Sequence, residues 1–259
     1  MASAMLAGLR KQHPELDCHI IEPLAAARDK LASQGVTAHA AASQAAVAGA
    51  DAVVLAVKPQ VLEQVCGELL PCLNGELIVS IAAGTRIASL SRWLNGHRRI
   101  VRTMPNTPAL IGQGVTGLYA PDALSAVDVA TAIELMQSTG IVMRVKSEAM
   151  IDAVTAVSGS GPAYVFHWIE SMLAAAIDAG FNAADARTLV FATLRGATAL
   201  ADASDEPVAV LRERVTSKGG TTAAAVAVLN DRRVGDAILE AVRAAKNRAA
   251  ELGDLLDRE

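Results

Sequence analysis

Between Arg214 and Leu229 the chain concentrates groups suited to holding a small anion and orienting a hydrogen bond. Residues 216–222, Thr216-Ser217-Lys218-Gly219-Gly220-Thr221-Thr222, bring together four hydroxyls, two glycines and a lysine, and an apolar run follows from Ala223. Such a run makes a poor strand and a poor helix interior but a good helix start. It predicts Thr221 as the N-cap and a helix from Ala223 onward. The backbone N–H groups of Gly219, Gly220, Thr221 and Thr222 are then left to face an anion, for which a small carboxylate is suited. The hydroxyls of Ser217 and Thr222 would reach the group beside it. The plainer alternative is an ordinary helix–loop–helix connection.

The first half of the chain alternates strand and helix signals. Helices are expected at 2–12, 24–34 (ending at Gly35), 59–70, 86–94 and 122–138. Strands are expected at 18–22, 52–57, 77–81, 100–102, 115–120 and 141–145. The apolar runs 52–57 and 77–81 have the pattern of buried parallel strands. The alternation implies a Rossmann-like doubly wound parallel sheet, whose ligands lie off the carboxyl ends of the strands. Those ends are Glu22, then Ala56, Val57, Lys58 and Pro59, then Ala82, Ala83 and Gly84, then Asn106 within Met104-Pro105-Asn106. Small residues at these ends let a flat ligand approach the backbone. Glu22 stands where an acidic side chain would bind a ribose 2′-hydroxyl, and Lys58 is suited to phosphate or ribose. Taken singly, Lys58 is as well read as a solvated loop lysine, and Asn106 between two prolines as part of a rigid turn.

A dinucleotide-binding sheet opens with a strand and a glycine-rich turn. Here Met1-Ala2-Ser3-Ala4-Met5 already reads as the helix after that turn, and no Gly-x-Gly-x-x-Gly occurs. The expectation is therefore a first strand and loop missing from the sequence, with the natural protein carrying an extra N-terminal segment that ends at Met1-Ala2.

From Glu148 the strand signals stop. Ser158-Gly159-Ser160-Gly161-Pro162 interrupts one helix and opens the next at Pro162, which runs to Ala179. Further helices are expected at 182–203, 207–216, 222–230 and 235–252. The division is a dinucleotide-binding domain over 1–147 and an all-α dimerisation and substrate domain over 148–259. The helix from Pro162 carries Tyr164, Val165, Phe166, Trp168, Ile169, Met172 and Leu173 around most of its circumference. A helix apolar on all sides must be buried, and so small a domain has too little interior for several of them. An obligate homodimer through this half follows. His167, in the same helix, reads as a packing rather than a catalytic histidine.

Composition narrows the function classes. The 259 residues are 52% hydrophobic and 19% charged, with net charge −4 and no basic run, which argues against a nucleic-acid partner. Cys18, Cys66 and Cys72 have no metal-ligand spacing and leave an odd thiol, as in a reducing compartment. No apolar stretch reaches spanning length and no signal peptide is recognisable. A cytoplasmic protein without membrane or nucleic-acid partners is expected.

Three stretches together carry a resemblance. Residues 56–60 (Ala-Val-Lys-Pro-Gln), 156–164 (Ala-Val-Ser-Gly-Ser-Gly-Pro-Ala-Tyr) and 215–222 resemble the pyrroline-5-carboxylate reductases, and 104–108 (Met-Pro-Asn-Thr-Pro) fits as well. The resemblance implies hydride transfer from NADPH or NADH to 1-pyrroline-5-carboxylate, giving proline. It implies cofactor contacts at Ser43, at Ala56, Val57, Lys58 and Pro59, and at Ala82, Ala83 and Gly84, with Asn106 near the nicotinamide. It implies that the substrate carboxylate lies on the amides around Gly219, Gly220 and Thr221 with help from Ser217. Thr222 bonds the ring nitrogen, and Ser158, Gly161 and Pro162 shape the floor of the site. Glu22 favours an unphosphorylated ribose, so NADH should be well accepted. Two alternatives stand beside this reading: a non-catalytic homologue acting as a helical assembly module, and a reductase of another small cyclic imine.

Overall fold

The computed structural model describes residues 1–258 and divides into two compact units, Met1–Ser160 with Ala244–Glu259, and Gly161–Arg243. The first unit holds α1 (Ala2–Gln12), β1 (His19–Ile21), α2 (Ala25–Ser33), β2 (Thr37–His39), α3 (Gln44–Val47), β3 (Ala52–Leu55), α4 (Leu62–Leu69), β4 (Leu77–Ser80), α5 (Ile87–Trp93), β5 (Ile100–Met104), β6 (Gly114–Tyr119), α6 (Ala126–Gln137), β7 (Gly140–Arg144) and α7 (Ala149–Val154). A π-helix, Thr155–Gly159, continues α7. The second unit holds α8 (Gly161–Asp178), α9 (Ala183–Asp202), α10 (Val208–Arg214), α11 (Thr221–Asp231) and the start of α12 (Val234–Arg258).

β3, β4 and β5 run parallel, with Ile78 opposite Val53 and Ile100. The sheet continues through β6 to β7, but β6 is antiparallel to β5. The expected all-parallel sheet is corrected here. Residues 105–113 form a short connection with one 3₁₀ segment (Thr107–Ile111), too short for the crossover a parallel return requires. β1 and β2 pair in parallel as a separate two-stranded sheet. That break in the ladder falls where a sheet of order 3-2-1-4-5-6 carries its opening strand and glycine turn. β2 and α3 gave no sequence signal, because Thr37-Ala38-His39 and Gln44–Val47 are too short to display a period.

Residues alternate across the central strands, so both faces are covered. Ile78 and Ile100 pack with Leu55 and with α4 and α5 through Leu62, Cys66 and Leu90. Leu77, Val79, Val101 and Leu118 pack on the other face with Met5 of α1 and with Val129, Ala132 and Met136 of α6. β4 is buried along its whole length, as a central strand should be. β3 is half-buried over Ala52, Val53 and Val54, because it is an edge strand of the five-stranded sheet. Ser125 caps α6 by accepting from Asp128 N–H at 3.0 Å, and Asn182 caps α9 by accepting from Asp185 N–H at 3.0 Å.

The second unit is helical throughout, and Ala186 and Val190 are its two buried residues. α8 has none: Val165, Phe166 and Ile177 are 53%, 63% and 54% exposed. Gly180 ends that helix at φ +100°, a left-handed conformation suited to glycine.

Candidate active site

In the first unit the parallel strands β3, β4 and β5 deliver their carboxyl ends side by side. Beyond β3, Ala56 and Val57 are half-buried, Lys58 is exposed in extended backbone, and Pro59 opens a 3₁₀ turn. Beyond β4, Ala82 and Gly84 are buried and Ala83 is half-buried. Gly84 turns the chain at φ +77°. A Cβ there would also crowd Leu252 Cβ at 3.3 Å, so the position needs glycine twice over. Beyond β5, Asn106 is 9% exposed and bonded at both ends of its amide: Nδ2 donates to the Ser158 carbonyl at 3.1 Å, and Oδ1 accepts from Val115 N–H at 2.9 Å. The sequence placed Asn106 and Ser158 in one site, and this bond brings them together.

The π-helix that carries Ser158 is held close to the sheet by two glycines. A Cβ on Gly117 of β6 would lie 2.6 Å from Val154 Cγ1, and one on Gly159 would lie 2.7 Å from Met104 Cε. Beneath it lies a charged group that sequence reading missed. Arg102, 1% exposed in the middle of β5, donates to Asp152 at 3.1 Å and to Glu148 at 3.3 Å. The same Glu148 oxygen accepts from Ile87 N–H at 2.7 Å, at the first turn of α5. One carboxylate thus ties α5, β5 and α7 together. An arginine inside the apolar run 100–104 was the available signal.

At the end of β1, Glu22 Oε1 accepts from Leu24 N–H at 2.9 Å, and Arg28 donates to the carbonyls of Glu22 at 2.9 Å and Pro23 at 2.7 Å. A guanidinium therefore stands at this loop, supplied from the first turn of α2 rather than from residues 23–25. Ser43 is extended ahead of α3 and its hydroxyl makes no cap bond. α3 packs on the core beside Leu55 through Ala46 and Val47.

Ser217, Gly219, Gly220, Thr221 and Thr222 form a second group, in the second unit. The helix starts one residue earlier than expected: Gly220 is the N-cap of α11, and Thr221 is the first helical residue with no capping bond. Gly220 is in extended backbone at φ −82° and ψ 174°, and a Cβ there would press on Ser217 Oγ, which would have to rotate away. Gly219 turns the chain at φ +73°. Gly220 N–H donates to Ser217 O at 3.0 Å, so this amide, expected to be free, closes the turn. First-turn amides of α11 have no intrahelical acceptor, which leaves Thr221 and Thr222 as donors toward an anion. Gly161 and Pro162 lie in the first turn of α8. His167 is 83% exposed, with Nδ1 4.0 Å from Glu170, so it is not a core histidine of this chain, and it lies on the helix expected to be covered by a second copy.

The cysteines are free thiols. Burial, with Glu63 adding, pushes Cys66 up to about 11, and burial also raises Cys18, so neither is a thiolate near neutral pH. Among the described residues no group of three His, Cys, Asp or Glu is placed to hold a metal ion, and no helix is long and apolar enough to cross a membrane.

Comparison with known proteins bears on both units. Residues 148–252 match the family model described as pyrroline-5-carboxylate reductase dimerisation, and residues 1–84 match one described as NADP oxidoreductase, coenzyme F420-dependent. The pyrroline-5-carboxylate reductase of Pseudomonas aeruginosa is 43% identical over 258 residues, 99% of this chain and 94% of that one. The solved structure of a pyrroline-5-carboxylate reductase from Coxiella burnetii superposes with a TM-score of 0.88 at 34% identity, covering 97% of this chain and 94% of that one. The Plasmodium falciparum enzyme, solved with NADP bound, gives a TM-score of 0.86 at 27% identity, with 97% and 94% covered. The similarity runs through both units and nearly the whole length, and the chain belongs to the pyrroline-5-carboxylate reductase family.

Proposed function

We propose that this protein reduces 1-pyrroline-5-carboxylate to L-proline with NADPH or NADH as hydride donor, the last step of proline biosynthesis. The observation that carries the reading is 43% identity sustained over 99% of the chain with a reductase of that name. The division of labour follows the notion of a dinucleotide-binding part, residues 1–147, and a dimerisation and substrate part, residues 148–259. The ends of β3, β4 and β5 fit a flat dinucleotide, because Ala56, Ala82, Ala83 and Gly84 leave the backbone approachable, and Asn106 stands beyond the neighbouring strand. Glu22 suits an unphosphorylated ribose and Arg28 supplies a cation for a phosphorylated one, which supports use of both cofactors. Ser43, Val57, Lys58 and Pro59 complete the cofactor side.

When bound, the nicotinamide supplies the hydride. The protein's part is placement. The amides of Thr221 and Thr222, with the Ser217 hydroxyl, hold the substrate carboxylate at the start of α11. Gly219 and Gly220 give that turn its shape. The Thr222 hydroxyl orients the ring nitrogen, so that the imine carbon presents its face to the donor. A threonine hydroxyl is too weak an acid to drive protonation, so the acceptor is the iminium form and the hydroxyl serves as an orienting partner. Ser158, Gly161 and Pro162 form the floor. In this reading the enzyme is a cytoplasmic homodimer or assembly of dimers, with neither nucleic acid nor membrane as partner.

The test is loss of reduced-nicotinamide absorbance on adding 1-pyrroline-5-carboxylate, run with each cofactor. Turnover yielding proline is expected with both. No oxidation by the dimer with either would overturn the reading.

A further inference from the structure

The last turns of α12 return to the first unit and meet the turn that follows β4. Arg86, immediately ahead of α5, donates to Asp257 at 2.5 Å and to Asp254 at 2.6 Å, and its Nη2 also approaches the Ala250 carbonyl at 3.4 Å. Ser89 Oγ donates to the other Asp257 oxygen. Arg92 approaches the Leu256 carbonyl at 3.4 Å. The side chains of Arg86 and Asp257 are 29% and 27% exposed, so these are charge-assisted bonds partly shielded from water.

Two glycines allow the helix this close. Gly84 faces Leu252, as described above. A Cβ on Gly253 would stand 3.0 Å from Arg86 Nε. Glycine in a helix interior is unfavourable relative to alanine, and at Gly253 it permits this close approach. Asp254 and Asp257 lie just beyond residues 148–252, which match the dimerisation model, and their bonds are made within the first unit. What they grip is Arg86 and Ser89, just past the Ala82-Ala83-Gly84 turn, whose Gly84 lies against Leu252 of the same helix.

We propose that the last two turns of α12 are a strap that sets the Ala82–Gly84 turn for the dinucleotide, with Arg86 as the positioning residue and Asp254 and Asp257 as its anchors. Glu148 fixes the same α5 start from the other direction through Ile87 N–H, which leaves the strap to set the turn ahead of it. This inference rests on the reading that the turn faces cofactor.

The experiment uses the full chain and three variants: Arg86→Gln, Asp254→Asn/Asp257→Asn and Gly253→Val. The last displaces the strap without changing charge. Arg86→Lys is the conservative control. Cofactor Kd is measured by calorimetry with NADPH and NADH, KM and kcat are measured for both substrates, and hydrogen exchange is followed at residues 82–86 and 250–257. In all three variants the Kd and KM for both cofactors should rise about tenfold, the loss of one or two charge-assisted bonds. The kcat at saturating cofactor and the KM for the imine should stay within about twofold, and Arg86→Lys should recover part of the affinity. Unchanged cofactor Kd in variants whose strap exchanges freely would overturn the strap alone. Failure of NADPH to slow exchange at 82–86 in the unaltered protein would overturn the placement of the cofactor, and the strap with it.

Discussion

At the scale of single residues, the hydroxyl proposed to face the substrate and the buried arginine answer to different physics. Thr222 lies in the first turn of α11, half-buried, and its proposed role is to orient the imine nitrogen. Thr222→Ala removes that partner without touching the turn, which Gly219 and Gly220 shape. The variant should fold and assemble normally while kcat/KM falls by about 1–3 kcal/mol in barrier terms, roughly five- to 150-fold. Unchanged kcat/KM would remove Thr222 from the mechanism. Arg102 is a structural matter. Its guanidinium is buried between Asp152 and Glu148, and taking away the cation leaves two carboxylates crowded in the interior. Arg102→Ala should lower unfolding free energy by about 3–5 kcal/mol in a denaturant titration. The variant should also loosen Ser158 and Asn106, because α7 runs directly into the π-helix.

At the scale of elements, close packing of α7 on the sheet depends on Gly117. Gly117→Ala places a methyl against the Val154 side chain and should cost about 1–3 kcal/mol, measured by thermal unfolding. Acid acts on another pair of elements. The Arg99 guanidinium bonded to Asp128 at the start of α6, helped by Ser125, holds that carboxyl below its usual range. For Asp257 burial works upward, and hydrogen bonds from Ser89 and Arg86 outweigh it. Both carboxyls have native pKa values below those of the unfolded chain. Their contribution is therefore complete above the unfolded carboxyl pKa of about 4 and disappears as pH falls through the native values. Melting temperature should drop below that pH, and the drop should flatten in Asp128→Asn and Asp257→Asn; a slope equal to that of the parent would remove these two groups as its cause. Elements with a long period or a cap were legible in the sequence: β4 as a buried strand, α9 from Asn182 with Asp185, and α8 from Pro162 to Gly180. β2 and the direction of β6 were not, because three residues show no alternation and strand direction is set by the connection, although β6 itself was legible as a strand at 115–120. The α11 N-cap was misplaced by one residue, since threonine and glycine rank about equally at an N-cap and propensity alone does not choose between Thr221 and Gly220. The turn that places the cap, Gly219 at φ +73° with Gly220 N–H bonded to Ser217 O, exists only in three dimensions.

At the scale of the whole molecule, the apolar surface of the second unit decides the assembly. Residues 161–243 hold Ala186 and Val190 as their buried residues. Phe166, Leu200, Val208 and Val228 are 63%, 63%, 68% and 58% exposed on four different helices. A groove on α8 and α9 is lined by Phe166, Ile169 and Phe191. Five helices with that little interior cannot hold together by their own burial, at about 25 cal/mol for each Å² removed from water. A monomeric protein rarely leaves so much apolar surface open. The sequence signal for this, a helix apolar around its circumference, was correct about the need for cover, and the match to a dimerisation family model supplies the partner as a second copy. Folding of the second unit and its association should therefore be one transition. Sedimentation at low micromolar concentration should show no folded monomer, and the melting temperature should rise with protein concentration, since dissociation and unfolding are linked by mass action. Phe166→Glu places a charge on the exposed apolar surface of α8 and should yield a species that has lost the dimer together with the helical signal of α8 and α9, while β4 and its neighbours retain their exchange protection. A folded, monomeric Phe166→Glu protein with all helices intact would show that the second unit can stand alone, against the burial argument.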